Sequence, residues 1–441
     1  NRIRTGAPEH PEQSLSALVD HMVRRAGCGA MRQPIAYAID FGTSNSSIAV
    51  AYRRNEAPLD ELTDPGVPSM LYLDAVGLEL VGDMAARQYL LGRDPTQSRL
   101  MSSLKSFLAD DSFTQTASWG RTWSLEDLTK FILRDLKRQA DKRLHADVKR
   151  VLIGYPVVFA GAEGDQFETL QKLALGRLEK AARLAGFREV EFLDEPTAAL
   201  YHDDLASGIN IALDFGAGTF DISIVQYRSR PRRATEVLAT NGIAVGGDRF
   251  DSAVFKLALH KRLGFDDLRY ADSIEDACTT AGMLHLVRDA NALHRLADYV
   301  HNKPRSGLRI LQRIMENGQA YALSKAVEKA KIKLSKATTT TVELFRPDAG
   351  INIQEEICRD DFDMSISDDL NQVFEVIDRT LRDAEVAPRD VDQVILTGGS
   401  CKIPAFRQRV RSKFRSIRII DASVASRVAL GLAQEARRLW S

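Results

Sequence analysis

The chain has little of what would force an unusual architecture. Only four cysteines occur in 441 residues, Cys28, Cys278, Cys358 and Cys401, and they are widely scattered. That spacing excludes a secreted disulfide framework and a cysteine-based metal site, and it fits a reducing cytoplasm with incidental thiols. No uninterrupted apolar run approaches the length of a membrane span, so no membrane partner is expected. A charge excess of either sign is missing too. Lys and Arg number 60 and Asp and Glu number 60, so no broad basic field invites nucleic acid. Residues 1–33 carry an amphipathic helical pattern at Leu15–Ala26 but no apolar signal core with a cleavage site, and they read as a peripheral leader.

What is present is length and repetition. A chain of 441 residues exceeds one compact core, so two lobes are expected. Two stretches then spell nearly the same word. Residues 211–225 read Ile-Ala-Leu-Asp-Phe-Gly-Ala-Gly-Thr-Phe-Asp-Ile-Ser-Ile-Val. This is an apolar strand into Asp214, a break at Gly216–Thr219, and alternation resuming at Phe220, the pattern of a β-hairpin with a small, free tip. The earlier copy, Tyr37–Val50, carries the same Asp-Phe-Gly centre at Asp40–Gly42. A tip without bulky side chains lets backbone N–H groups converge on a phosphate, and Thr and Ser hydroxyls add donors. An acid at the end of the preceding strand suits a hard divalent cation. One such hairpin is often an ordinary turn. Two copies roughly 170 residues apart point to two related lobes gripping one nucleotide.

Between and after the hairpins, strands alternate with long helices, which indicates an α/β layout. Ser124–Leu144 reads as an amphipathic helix with Ser124 as N-cap and Asp127 at the capping-box position. Val151–Val158 reads as a strand buried on both faces. Asp165–Ala185 reads as a helix, Val190–Pro196 as a strand end, Tyr321–Ser335 as a helix and Thr338–Leu344 as a strand. A segment of about 265–320, rich in Leu, Arg and His, reads as several helices. His285, His294 and His301 fall there without ligand spacing.

Other motifs are individually ambiguous. Asp194-Glu-Pro-Thr-Ala-Ala199 fits either a strand-end acid that holds a water or metal ligand, or a plain helix start with proline in its first turn. Gly246-Gly247-Asp248 and Gly398-Gly399-Ser400 end strands where backbone can approach phosphate or ribose, and both pairs also suit simple turns. Glu328, Lys331 and Ser335 share a helix face that lines either an adenosine pocket or solvent. Lys105 faces either a phosphate or solvent.

Taken in this order, these segments resemble the ATPase domain of the DnaK-type heat-shock chaperones within the actin-like superfamily. The residues that carry the resemblance are Ile39-Asp-Phe-Gly-Thr43, Lys105, Asp194–Ala199, Leu213–Asp221, Gly246–Asp251, Glu328–Lys331 with Leu334-Ser335, and Leu396–Ser400 with Ile403-Pro404. Gly154-Tyr-Pro156, Lys105–Leu108 and the 265–320 arrangement are most similar to the YegD-like branch, which consists of the ATPase unit alone.

The resemblance implies an α/β fold of two ribonuclease-H-like lobes around a nucleotide cleft. Lobe I would be 34–207 and lobe II 208–422 with a helical insertion at about 265–320, and a C-terminal helix within 423–441 would return to lobe I. It implies ATP or ADP with Mg2+, the metal organised by Asp40 and Asp214. Gly42, Thr43, Ser44, Asn45, Gly216, Ala217, Gly218 and Thr219 would hold phosphates. Gly246, Gly247, Asp248, Glu328, Lys331, Ser335, Gly398, Gly399, Ser400 and Lys402 would complete the nucleotide site. Lys105, Glu195, Asp214 and Thr219 would carry catalysis, slow and coupled to lobe rotation. Implied partners are a co-chaperone or nucleotide-exchange factor and unfolded protein, with the chain itself a monomer.

Several positions depart from the family pattern. Ile332 stands where an arginine stacks on adenine, and Lys402 replaces another arginine. Ala217 replaces a tip glycine and requires negative φ. The sequence stops at Leu439-Trp-Ser441 with no β-sandwich peptide-binding domain, so peptide clamping is not expected. The alternative readings are a non-hydrolysing nucleotide sensor and an actin-like filament former. A sugar kinase on the same fold would need a substrate pocket with its own base, and none is identifiable.

Overall fold

Alternating apolar residues around short polar tips build the two hairpins, and each hairpin seeds a sheet. The computed structural model describes residues 33–53, 60–63, 66–92, 97–162, 164–202, 205–228, 234–265, 297–298, 300–301, 307–422 and 426–441. The leader and residues 266–296, the greater part of the 265–320 segment, lie outside the described residues.

In the first lobe, β1 (Pro34–Phe41) pairs antiparallel with β2 (Asn45–Tyr52), placing Asp40 opposite Ser47. Helix α1 (Leu125–Leu144) starts on the expected capping box, with Ser124 Oγ accepting from the Asp127 amide. It leads to β3 (Arg150–Tyr155), which runs parallel beside β1. Helix α2 (Phe167–Leu184) then returns to β4 (Glu189–Asp194), parallel beside β3. A short piece at Asp60–Glu61 closes the far side of β2.

The second lobe repeats this plan. β5 (Gly208–Phe215) pairs antiparallel with β6 (Phe220–Arg228), placing Asp214 opposite Asp221, and β7 (Ala234–Ile243) adds to β6. Helices α3 (Gly247–Leu259), α4 (Ala320–Leu334) and α5 (Ser367–Asp383) follow. β8 (Gln393–Thr397) lies parallel beside β5. Helix α6 (Pro404–Lys413) carries proline in its first turn and delivers β9 (Arg418–Asp421) beside β8. In each sheet the two strands of the opening hairpin lie side by side, with the lobe's later parallel strands added beyond the first of them. The repeated word in the sequence therefore marks a repeated topology.

Helix α7 (Ser426–Trp440) packs against β1, β2 and β3. Its Ala429, Leu432, Ala433 and Ala436 share a core with Ala36, Ala38, Ala49 and Ala51 of the first sheet and Ala212, Val225 and Ile395 of the second. Small residues let the two sheets and the helix approach closely, so the lobes join at the floor of the cleft. Among the described residues no helix is long and apolar enough to cross a membrane.

Candidate functional site

The two hairpin tips face each other. A side chain begun at Gly218 would lie 3.1 Å from the Thr43 hydroxyl. Between the lobes opens a cavity of about 760 Å³. Its walls include Asp40, Gly42, Thr43, Ser44, Asn45, Lys105, Glu195, Asp214, Gly216, Ala217, Gly218, Thr219, Gly247, Asp248, Glu328, Lys331, Ser335, Gly398, Gly399, Ser400 and Lys402. Of the site residues singled out in the sequence, Gly246 alone is not in the wall.

Gly246 is instead a packing residue. A methyl there would sit 2.2 Å from the Ala217 carbonyl oxygen, so only glycine lets the start of α3 meet the second hairpin tip. That contact is cemented by the Asp248 amide donating to the Ala217 carbonyl at 2.8 Å and the Gly247 amide to the Gly216 carbonyl at 3.0 Å. Ser400 Oγ donates to the same Gly216 carbonyl at 2.9 Å. Ala217 itself is not among the residues of positive φ, as its side chain requires. Gly398, at φ +85°, turns β8 across the Phe215 backbone, and any side chain would collide there.

An aromatic cluster holds this half rigid. Phe215 lies 5.2, 5.5 and 5.0 Å from Phe220, Phe250 and Phe406, centroid to centroid, all edge to face. Each pair contributes about 0.5–1.5 kcal/mol beyond its buried area. The Phe of Asp-Phe-Gly is thus an anchor that fixes Asp214 and the tip beside it.

The charged centre lies on the cleft floor. Ser103, in the left-handed region at φ 57°, starts a turn at Leu104–Phe107 that aims Lys105 inward. Lys105 Nζ donates to Glu195 Oε1 at 2.5 Å, with both residues buried. Burial alone would lower the Lys105 pKa, but Glu195 and then Asp40 hold it above its ordinary value. Burial, then Glu195, pushes Asp40 well above the carboxylate range, while Lys105 pulls it down. Asp214 is pushed up to about 8 by burial, then by Glu195 and Asp221. Asp221 rises to about 7 through burial and Glu195, opposed by its bond from Thr219. Four acids therefore crowd around one lysine, and their mutual repulsion helps to hold Asp40, Asp214 and Asp221 above the carboxylate range.

The ambiguous Glu-Pro-Thr motif forms the expected helix start. Asp194 caps the short helix Glu195–Ala198 by accepting from the Thr197 amide at 2.9 Å, with proline in the first turn. The same turn sets Glu195 beside Lys105. Thr219 is less free than expected, because its Oγ1 donates to Asp221 Oδ2 at 2.8 Å.

At the other end of the cleft, Lys331 Nζ reaches the Gly247 carbonyl at 3.0 Å and Asp251 Oδ2 at 2.8 Å. Burial, then Asp251, pushes Asp248 up to about 7. Glu328 pairs with Lys325 at 2.6 Å, so the Glu–Lys helix surface and the cleft wall are the same feature. Ile332, 55% exposed, and Lys402 also face this end.

Three contributors escaped the sequence reading. Asp221 and Asp251 are the last residues of motifs that were recognised, so position in the motif could have flagged them. Tyr321 had no signal. It lines the cleft and packs edge to face on Tyr89, 6.5 Å away, bridging the lobes across the cavity mouth.

With this geometry in hand, the comparisons with known proteins are direct. The family model described as "Hsp70 protein" matches residues 36–269 and 291–437. The chain belongs to the Hsp70 family. It is 25% identical over 415 residues to the chaperone protein DnaK of Thermosipho melanesiensis, covering 90% of this chain and 58% of that protein. It is 27% identical over 411 residues to chaperone protein DnaK 1 of a Synechococcus species, covering 85% and 46%. It is also 27% identical over 457 residues to heat shock 70 kDa protein 6, chloroplastic, of Arabidopsis thaliana, covering 94% and 55%. The chain thus spans about half the length of the curated relatives it matches. The fold is the actin-like ATPase fold of that family.

Proposed function

We propose that this Hsp70-family chain binds ATP and ADP with Mg2+ in the cleft, and that slow hydrolysis drives the lobes open and closed. The observation that carries the reading is the floor of the cleft, where Asp40, Glu195, Asp214 and Asp221 surround Lys105 between two mirrored hairpin tips.

Asp40 and Asp214, strand-end acids in the cavity wall, offer the oxygen donors that a hard cation takes. No cluster of three or more candidate ligands gathers at one point among the described residues. Mg2+ keeps several waters and takes one or two carboxylates with substrate phosphates, here Asp40 and Asp214. When bound, the metal supplies charge neutralisation for the phosphates. Thr43, Ser44, Asn45 and the Gly216–Thr219 backbone then bind and orient them. Lys105 stabilises charge on the transferred phosphate and positions the attacking water, and Glu195 orients Lys105. Asp221 holds Thr219 in register. Gly247, Asp248, Glu328, Lys331, Ser335, Gly399, Ser400 and Lys402 hold ribose and base. Catalysis is positioning and charge compensation, with no covalent intermediate on the protein.

The relatives are named as chaperones and a heat-shock protein, and a role in ATP-dependent protein folding or its regulation follows by analogy. A co-chaperone or exchange factor would act on lobe opening, with unfolded protein as client and a cytoplasmic monomer as the working form. The test is equilibrium ATP binding and single-turnover hydrolysis by the wild type, Asp214→Asn and Thr219→Val, each checked for native melting. Both variants are expected to lose turnover. Full turnover in both would refute the site.

A further inference from the structure

A second groove, about 600 Å³, lies immediately beyond the base end of the cleft and shares Ser335 and Lys402 with it. Its other lining residues are Pro404, Arg407, Gln408, Arg411, Ser412 and Arg415. Five of these six, Pro404 to Ser412, recur at steps of three, one, three and one, so one face of α6 forms the groove floor, and Arg415 adds to it from the turn that follows the helix. Every charge on that face is positive, in a chain whose net charge is zero.

The arrangement is not self-satisfying. Arg407 and Arg411 stand at i and i+4 on α6, a spacing at which like charges destabilise a helix, and Arg415 lies in the turn just beyond its end. Arg407 is neutralised by Asp421 at 2.6 Å. Arg409 and Lys413, on other faces, are accounted for by stacking on Phe374 and by an ion pair with Asp378. Arg411, Arg415 and Lys402 have no ion-pair partner among the described residues. The helix dipole favours cations near the last turn, which accounts for Arg411. It does not account for Lys402 ahead of the helix, where a cation is disfavoured.

The spacing selects the ligand. Four residues of helix advance about 6 Å. Alternate residues of an extended chain advance about 6.6 Å and point the same way. The step from Arg407 to Arg411 on α6 therefore matches acids two apart on an extended peptide, Arg415 and Lys402 extend the row of cations beyond either end of the helix, and arginine donates to carboxylates in a two-pronged grip. We propose that this groove is a docking site for an extended acidic segment of a partner protein, with acids at alternating positions, running along α6 toward Lys402. A segment seated there touches the base end of the cleft. That consequence rests on the nucleotide reading, whereas the groove itself does not.

The test uses the full chain without nucleotide, and fluorescence anisotropy with two labelled peptides of equal length, composition and charge. One alternates aspartate with serine throughout; the other gathers all its aspartates into a block that precedes the serines. The alternating peptide is expected to bind more tightly, and Arg411→Glu with Arg415→Glu to weaken it about tenfold. A control pair of equal charge change, Arg138→Glu with Lys172→Glu on the exposed surface of the other lobe, is expected to leave binding unchanged. Melting curves confirm that both pairs fold, and Arg411→Gln with Arg415→Gln serves if the reversal does not. Equal affinity for the two peptides, or equal loss in the control pair, would show a diffuse field and overturn the proposal. So would tighter binding of linear polyphosphate than of the alternating peptide. Nucleotide binding is measured separately, so failure of the groove and failure of the ATP site are distinguishable.

Discussion

Replacing Lys105 with methionine tests the charged centre most directly. The change keeps most of the length of the side chain and removes the one cation among the four acids of the cleft floor. Removing one partner of a buried ion pair costs about 3–5 kcal/mol, because the other charge stays buried alone. The pH dependence gives the prediction its sign. Asp214 and Asp221 have folded pKa values near 8 and 7, above their unfolded values. The folded state therefore holds protons that the unfolded state has released, and stability from this source falls as pH rises from about 4 to about 8. Lys105 lowers both values, so its removal extends the falling limb to higher pH. Each further unit over which one extra proton is held is worth about 1.4 kcal/mol. Urea denaturation with a chelator should show Lys105→Met losing about 3–5 kcal/mol at pH 8 and distinctly less at pH 6, where Asp214 and Asp221 are already protonated. Mg2+ should restore part of the loss at pH 8. An equal or larger loss at pH 6 would refute the picture of lysine-compensated acids.

Three other outcomes follow from the geometry. Arg177 donates from its guanidinium to the carbonyls of Phe107, Leu108, Asp110 and Phe113 at 3.3, 3.0, 2.8 and 2.7 Å, strapping the loop that follows Lys105. Arg177→Ala should cost about 2–3 kcal/mol, speed hydrogen exchange over 104–113 and slow single-turnover hydrolysis; unchanged exchange there would rule the strap out. Gly246→Ala forces a methyl to 2.2 Å from the Ala217 carbonyl, and should destabilise by about 1–3 kcal/mol while weakening ATP binding in titration calorimetry. Wild-type affinity would mean that the α3–tip contact does not shape the site. Tyr321→Ala removes the edge-to-face contact with Tyr89 across the cleft mouth, a contact of about 0.5–1.5 kcal/mol, and should raise the release rate of a fluorescent nucleotide several-fold in stopped flow. An unchanged rate would show that the mouth opens elsewhere.

How much of this was legible in the sequence depended on whether a feature is local. The hairpins were readable because a period of two, a small tip and a strand-end acid all lie within fifteen residues, and β1–β2 and β5–β6 form as the pattern requires. Helix α1 was readable to its cap, since Ser124 and Asp127 are both part of the signal. The hairpin 115–124 and the edge strand β7 give no such signal, because short or half-exposed strands carry little alternation. The strand Ile351–Cys358 does alternate, burying Ile351, Ile353 and Ile357, but a helix-rich stretch beside it masks the pattern. What no local pattern holds is reciprocity between distant residues. Gly246 reads as a phosphate glycine from its motif, and only the fold reveals that it faces Ala217 rather than the cavity. Thr219 reads as a free hydroxyl, and only the pairing of Asp214 with Asp221 across the hairpin explains why that hydroxyl is held. The two cases share a cause. The second tip is shaped from outside by α3 and by β8 turning at Gly398, while the first takes its outside support from Ser69 Oγ, donating to the Gly42 carbonyl at 2.7 Å. The repeated word thus encodes two equivalent turns with unequal supports. A substitution at Gly246 should therefore distort one hairpin tip without disturbing its twin.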